Sequence, residues 1–221
     1  MFNSLISKEE IQIRLGKIRC VLLDWDGVFN NGYKHTEGSG FSETDSMGLN
    51  LFRYFLFRKN NLLPFCAIIS GEKNDTAFYY SKREHLHACY FKIKDKSIAL
   101  NDFKKRWNLK DDEIIYFFDD VLDLPVVRKV GLRAYIHHPS RTHFLNFLKN
   151  ENLCDIYSDL GGENAALREI FENLMVLGND FSSILLSREK YDGRYAEYIT
   201  ERNSVHTEFY YLHNSEIIIH S

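Results

Sequence analysis

The chain has no basic field. Its 221 residues carry 28 Lys and Arg against 31 Asp and Glu, a net charge of −3, so nothing in the charge balance recruits a phosphate backbone, and nucleic acid is not an expected partner. It also has no long apolar run. No stretch approaches the roughly 20 residues that cross a bilayer, so no membrane partner is expected. The opening residues, MFNSLISKEE, show neither a basic n-region nor a long apolar h-region. No signal peptide and a cytoplasmic location are therefore expected. Cysteine is sparse. Cys20, Cys66, Cys89 and Cys154 form no C-x-x-C pair, and three of them sit in apolar runs. Reduced, buried thiols are expected rather than a disulfide framework or a zinc site. No internal repeat and no low-complexity linker divides the chain.

What is present is an ordinary share of hydrophobic residues, 44%, arranged in alternating short and long apolar segments. CVLLD, PFCAIIS, ACYFKI, DDEIIYFFDD and LRAYIHH read as buried strands. SKEEIQIRLGKI opens on a capping-box pattern, Ser7 with Glu10 three residues on. MGLNLFRYFLFRKN, DTAFYYSKREHLH, DKSIALNDFKKRW, LDLPVVRKVG, PSRTHFLNFLKN and NAALREIFENLM read as helices. Strands that are continuous apolar runs, separated by helices, predict an α/β fold with a Rossmann-like parallel sheet covered on both faces. GYKHTEGSGFSET, over about 32–45, reads as a projecting β-hairpin around the turn EGSG. One domain is expected over 1–178. Residues 179–221 are more polar and less periodic and read as an extension, an arm or a partly ordered tail.

The stretch CVLLDWDGVFNNG sets a chemical question, because a buried strand runs straight into Asp24 and Asp26. In open parallel sheets, ligands bind beyond the carboxyl ends of the strands. Three strands here end on capable groups: Asp24 and Asp26, then Ser70 and Gly71, then Asp119 and Asp120. Lys96 opens a helix after a fourth. Acids, a hydroxyl beside a glycine and a cation make a site for a metal and a phosphate. Mg²⁺ prefers hard oxygen ligands and keeps several waters, so a few carboxylates suffice. Asp24 is the expected nucleophile, forming an aspartyl-phosphate. Asp26, swung back by a turn at Gly27, is the expected acid and base. Asp24, Asp26 and Asp119 are the expected metal-binding residues. Ser70, Gly71 and Lys96 are expected to hold and neutralise phosphoryl oxygens. Asp120 and Asp123 would hold the metal's water or Lys96, or cap the next helix. Asn30 and Asn31 lie at the mouth of the site and suit sugar hydroxyls, or serve as plain turn residues.

These motifs carry a resemblance. DWDGV resembles the D-x-D-G-V/T signature of the haloacid dehalogenase superfamily, IISG its second motif, Lys96 its third, and DDVLD its acidic motif. More narrowly, the NG turn, DSMGLNLF and GGENAALREI are similar to segments of the capless 3-deoxy-D-manno-octulosonate 8-phosphate phosphatases, over roughly residues 18–175. The resemblance implies Mg²⁺-dependent hydrolysis of a small phosphorylated sugar by a homotetramer. Four positions depart from the pattern. Phe118 and Asn164 stand where glycine is usual, Glu72 stands where arginine is usual, and KIKDK lacks an obvious glycine before the lysine. Arg168, after two glycines, is suited to gripping a carboxylate or phosphate across a subunit contact, or else pairs with acids on its own helix.

Other polar residues have plainer readings. His85 and His87 are spaced for one face of a strand but read as residues of a helix–strand junction. His137 and His138 read as a turn with a helix N-cap, KKRW as a solvated helix face, and Cys20 as core. Two rival functions are weighed. A non-catalytic or regulatory assembly module on the same fold, associated with acidic-sugar activation, is disfavoured because the acids, Ser70 and Lys96 are all retained. A dehalogenase is disfavoured because that chemistry does not need Asp26 as acid.

Overall fold

The described residues build one nine-stranded sheet in which the early apolar runs lie at the centre. In the computed structural model, which describes residues 2–35 and 39–220, the elements run β1 (Phe2–Ser4), α1 (Lys8–Leu15), β2 (Cys20–Leu23), α2 (Glu43–Asn60), β3 (Phe65–Ile69), α3 (Asp75–Arg83), β4 (Ala88–Phe91), α4 (Lys96–Trp107), β5 (Ile114–Phe118), α5 (Leu124–Val127), β6 (Leu132–Ile136), α6 (Thr142–Asn150), β7 (Ile156–Ser158), α7 (Ala166–Leu177), α8 (Phe181–Lys190), α9 (Gly193–Asn203), β8 (Glu208–His213) and β9 (Glu216–Ile219). The strand order is β1-β7-β6-β5-β2-β3-β4-β8-β9. Pairing is parallel from β7 to β8 and antiparallel only at the outermost pairs, β1–β7 and β8–β9. The expected α/β fold with a parallel sheet is thus present.

The period of two along each strand divides the core into two layers. Val21 and Leu23 of β2 face one layer with α1, α2, α3 and α7. Cys20 and Leu22 face the other, with α4 and residues around α5 and α6. All four cysteines are free and buried. Helix α1 starts where Ser7 accepts a hydrogen bond from the Glu10 amide at 3.1 Å.

Helix α2 is buried almost all round from Gly48 to Phe57, a pattern expected of a helix sandwiched on every side. One side meets α7, where a Cβ on Gly48 would lie 3.1 Å from the Cα of Arg168. Its outer side is covered by α8 and α9. The segment read as an arm or tail is therefore part of the packed structure. It supplies two helices over α2 and the strand β8, which pairs in parallel with β4. Its polar composition was misleading because its apolar residues are tyrosines. Tyr195 and Tyr198 are buried, with their hydroxyls on Asn50.

Two further readings are corrected. Residues 32–35 and 39–42 form no strand beyond an isolated bridge at His35, and Glu43–Asp45 are the first turn of α2. Ser42 caps that turn by accepting from the Thr44 amide, so the capping signal prevails over the strand alternation. The turn EGSG of the expected hairpin falls partly on Thr36–Gly38, which lie outside the described residues. LDLPVVRKVG makes only a 3-10 turn and the single helical turn of α5. Strands β1 and β7, three residues each, were too short to read from pattern.

Asn50 ties α2 to α9. Its amide donates to the Tyr195 hydroxyl at 2.8 Å, and its Oδ1 accepts from the Tyr198 hydroxyl at 3.1 Å and from Arg202 at 2.9 Å. Asn50→Ala removes the side-chain partner of the buried Tyr195 hydroxyl and one of the partners of Tyr198 and Arg202, and should cost about 1–3 kcal/mol. Urea unfolding should show a lower midpoint with unchanged slope. An unshifted midpoint would mean that the C-terminal helices do not contribute to the cooperative core.

Candidate active site

The site is built where four parallel strands end together. The ladder continues one residue past β2, with the Asp24 amide donating to the Phe117 carbonyl at 2.9 Å. The chain then turns sharply. Trp25 is buried, stacks on Phe29 and donates its indole N–H to Ser39 Oγ at 3.0 Å. Gly27 has φ +87°, and a Cβ there would lie 1.9 Å from Asp119 Oδ2. Only glycine allows both this backbone and this approach. Asn30 fixes the turn: its Oδ1 accepts from the amides of Gly27 and Gly32, at 3.2 and 2.8 Å. Asn31 accepts from the Tyr33 amide. Both asparagines thus act as turn residues in this chain. Gly162 closes the turn from behind, since a Cβ there would meet three carbonyl oxygens of residues 27–30.

Lys96 opens α4 with its side chain 2% exposed, and its ammonium lies 2.6 Å from both Asp24 Oδ1 and Asp123 Oδ1. Asp123 also accepts from the Tyr116 hydroxyl and from the Asp120 amide at 3.2 Å. Arg141 donates to the Asp119 carbonyl at 2.7 Å, pairs with the Asp119 carboxylate, and lies 3.5 Å from Asp120 Oδ2. Ser70 is buried at the end of β3, with Gly71 beside it at the cavity wall. Except for Tyr116, which lies beneath it, these groups line one cavity of about 210 Å³, together with Asp26, Glu72 and Lys34. A larger cleft of about 330 Å³ opens between Arg19, Phe65, His87 and Glu201. It brings together no cluster of acids, so size alone does not mark the site.

Carboxylate oxygens of Asp24, Asp119 and Asp123 lie within 4.8 Å of one another. Burial pushes Asp24 well above its ordinary value. Lys96 pulls it down, while Asp123 and Asp119 push it further up. Burial, reinforced by Asp123, raises Asp119 to about 6 against the pull of Arg141. Burial disfavours the charged form of Lys96, but Asp123 and Asp24 outweigh it and hold the ammonium charged above its ordinary value. The cluster is short of positive charge, and its donors are hard oxygens. That donor set fits a divalent cation such as Mg²⁺.

The structure redistributes two expected roles. Asp26, expected among the metal-binding side chains, lines the same cavity but is not one of the three acids whose oxygens lie within 4.8 Å of one another. It accepts from Ser39 Oγ at 3.0 Å and pairs with Lys34 at 3.3 Å. Asp123, expected as a supporting residue, takes its place in the cluster. Asp120 accepts from its neighbour's amide, at Val121, and starts the 3-10 turn there. Arg168 is not at this cavity: its guanidinium pairs with Glu172 on its own helix, and its amide donates to Asp45 at 2.8 Å. His138 caps the turn after β6, as its position implied. His87 Nδ1 accepts from the Cys66 amide at a helix–strand junction. Sequence reasoning missed Arg141, Lys34 and Tyr116. Arg141 had a usable signal, a cation just beyond the carboxyl end of a strand. The hydroxyl of Tyr116, inside an apolar run, had none.

No family model matches the chain. Among solved structures it is similar to a haloacid dehalogenase superfamily (subfamily III A) hydrolase of Legionella pneumophila, at 25% identity and TM-score 0.67, over 82% of this chain and 95% of that one. The fold is that of the haloacid dehalogenase superfamily. A second superfamily structure, the 3-deoxy-D-manno-octulosonate 8-phosphate phosphatase of Moraxella catarrhalis in complex with magnesium, phosphate and KDO, is 22% identical with TM-score 0.66, over 81% of this chain and 98% of that one. Among curated proteins, the 3-deoxy-D-manno-octulosonate 8-phosphate phosphatase KdsC of Escherichia coli is 24% identical over 172 residues, 76% of this chain and 84% of the relative.

A site with this excess of acid makes a pH prediction. The folded state holds the Asp119 proton more tightly than the unfolded chain does, since its value rises from 3.8 to about 6. Its ionisation therefore costs nothing below about pH 4 and progressively destabilises the metal-free protein as pH rises through 6. In chelator, Asp119→Asn should gain stability relative to the parent between pH 4 and pH 7, measured by urea midpoints. A variant that instead loses more at pH 7 would show that Arg141 outweighs burial.

Proposed function

We propose that the protein is an Mg²⁺-dependent phosphomonoesterase that hydrolyses a small phosphorylated sugar acid, of the 3-deoxy ulosonate phosphate type, through an aspartyl-phosphate. The observation that carries this reading is the buried Asp24 carboxylate, held 2.6 Å from Lys96 beside Asp119 and Asp123 in a cavity that also contains Ser70. The substrate class is supported by the names of the curated relatives and by the ligands of the Moraxella structure.

Asp24, Asp119 and Asp123 would hold the ion, whose charge would offset that of the phosphoryl group. Asp24, fixed by Lys96, presents its second oxygen to phosphorus. That O–P bond forms as the ester O–P bond breaks, and Asp26 gives its proton to the departing alcohol. Asp26 then takes a proton from the water that attacks phosphorus and frees Asp24. Ser70 and the Gly71 amide hold phosphoryl oxygens through both steps, and Lys96 neutralises charge there. Glu72, at the cavity wall where the related pattern has arginine, favours a substrate that differs from those of the relatives around its hydroxyl or acid groups. Among assemblies, the resemblance favours a homotetramer, in which a neighbouring subunit would cover an otherwise open site. The alternative, a non-catalytic module, has against it the complete set of acids, Ser70 and Lys96 around one cavity.

Asp24→Asn should abolish turnover with the melting temperature retained, because an amide keeps the shape but neither attacks phosphorus nor binds Mg²⁺ well. Asp26→Asn should lose roughly 10²–10⁴ in rate. A panel of phosphorylated sugars with keto-deoxy acids included identifies the substrate. Near-normal activity of purified Asp24→Asn would sink the mechanism.

Removing the ion should stop hydrolysis, and returning Mg²⁺ should restore it, with Ca²⁺ a poor substitute because of its longer, looser bonds. Mg²⁺ should also stabilise the parent by about 2.7 kcal/mol at a hundred times its dissociation constant, seen as a higher melting temperature. Full activity in excess chelator would contradict this reading.

A further inference from the structure

We infer that β9 is a self-association edge, on which a second copy of this chain adds its own β9 antiparallel across a two-fold axis. The sheet ends at β9, and among the described residues no strand pairs with its outer side. Exposed edges are usually blunted by lysine, proline, a bulge or a covering loop. This one reads Glu216-Ile217-Ile218-Ile219, β-branched through its centre, with Ile219 57% exposed. It is also rigidly presented. Asn214 and Ser215 both have positive φ, 48° and 65°, the backbone of a tight two-residue hairpin turn that joins β8 to β9.

The register of β9 on β8 decides which backbone groups remain free. The His220 amide donates inward to the Phe209 carbonyl at 2.7 Å, and Ile218 lies opposite Tyr211. In an antiparallel ladder inward and outward groups alternate, so residues 216, 218 and 220 face β8 while Ile217 and Ile219 present N–H and C=O outward. A two-fold axis at Ile218 sets Ile217 of one copy opposite Ile219 of the other, with both exchanging backbone hydrogen bonds. The same axis places Ile218 against its own symmetry mate and Glu216 opposite His220, twice. An acid thus meets an imidazole at each end of the pairing. The His220 ring packs over the same face of the sheet, 5.3 Å from that of Phe91 and 6.0 Å from that of Tyr211. The strand is complementary to itself in backbone phase, in apolar centre and in its polar ends. An isologous contact of this kind closes on itself, and it combines with a different two-fold interface into a tetramer.

The test is sedimentation of the full chain over a range of concentrations, with circular dichroism and melting as controls. Ile219→Pro removes an outward N–H that β8 does not use, which edge strands tolerate. Whatever other contacts the chain makes, its assembly should have half the mass of the parent's. Glu216→Lys should weaken the association about tenfold, and Glu216→Lys with His220→Glu should recover it. A parent with the same mass as Ile219→Pro at every concentration would overturn the inference. So would a double charge reversal that fails to recover association while keeping its fold.

Discussion

One ammonium group organises the centre of this molecule. Lys96 lies between Asp24 and Asp123, at 2.6 Å from each, and those acids belong to segments that follow two different strands. A buried cation in such a position is costly unless both partners are in place, and removing one partner from a buried pair costs several kcal/mol. The order of the strands follows from this demand. Strands β2 and β5 must be neighbours for Asp24 and Asp119 to meet, β3 must flank β2 to bring Ser70, and α4 must begin just beyond β4 to deliver Lys96.

Even so, the arrangement leaves the acids undercompensated. Three carboxylates face Lys96 and the partly exposed Arg141, and both Asp24 and Asp119 have values above the ordinary range. A surrounding of this sort stores unfavourable energy in the folded state and releases it when a cation arrives. Stability is exchanged for binding readiness, the common bargain of functional sites.

Much of this was legible in the sequence, and the reasons can be traced to particular residues. Buried parallel strands are short apolar runs, so β2 to β6 stood out, and polar groups at their carboxyl ends marked Asp24, Ser70 and Asp119. Lys96 stood out by its place after ACYFKI. Less legible were contacts set by geometry rather than by pattern. The partners of Asp26, Ser39 and Lys34, come from the loop that follows and left no pattern. The choice of Asp123 over Asp120 depends on a 3-10 turn. The C-terminal segment was hidden because its buried surface is carried by tyrosines, whose hydroxyls need Asn50 and whose rings do not register as an apolar stripe. The loop after Gly32 read as a hairpin from its alternation alone, while Ser42 was already the cap of a helix.

The parallel pairing of β8 with β4 has a consequence for how the chain is made. A ribosome releases β4 long before β8, and all of α4 to α9 must emerge between them. Throughout that interval the outer edge of β4 has no neighbour, and its residues ACYF are apolar and unguarded by charge. The nascent chain therefore carries an open strand edge from the release of β4 until β8 is available to pair with it. Such an edge is most open to wrong pairing while its native neighbour is still unmade.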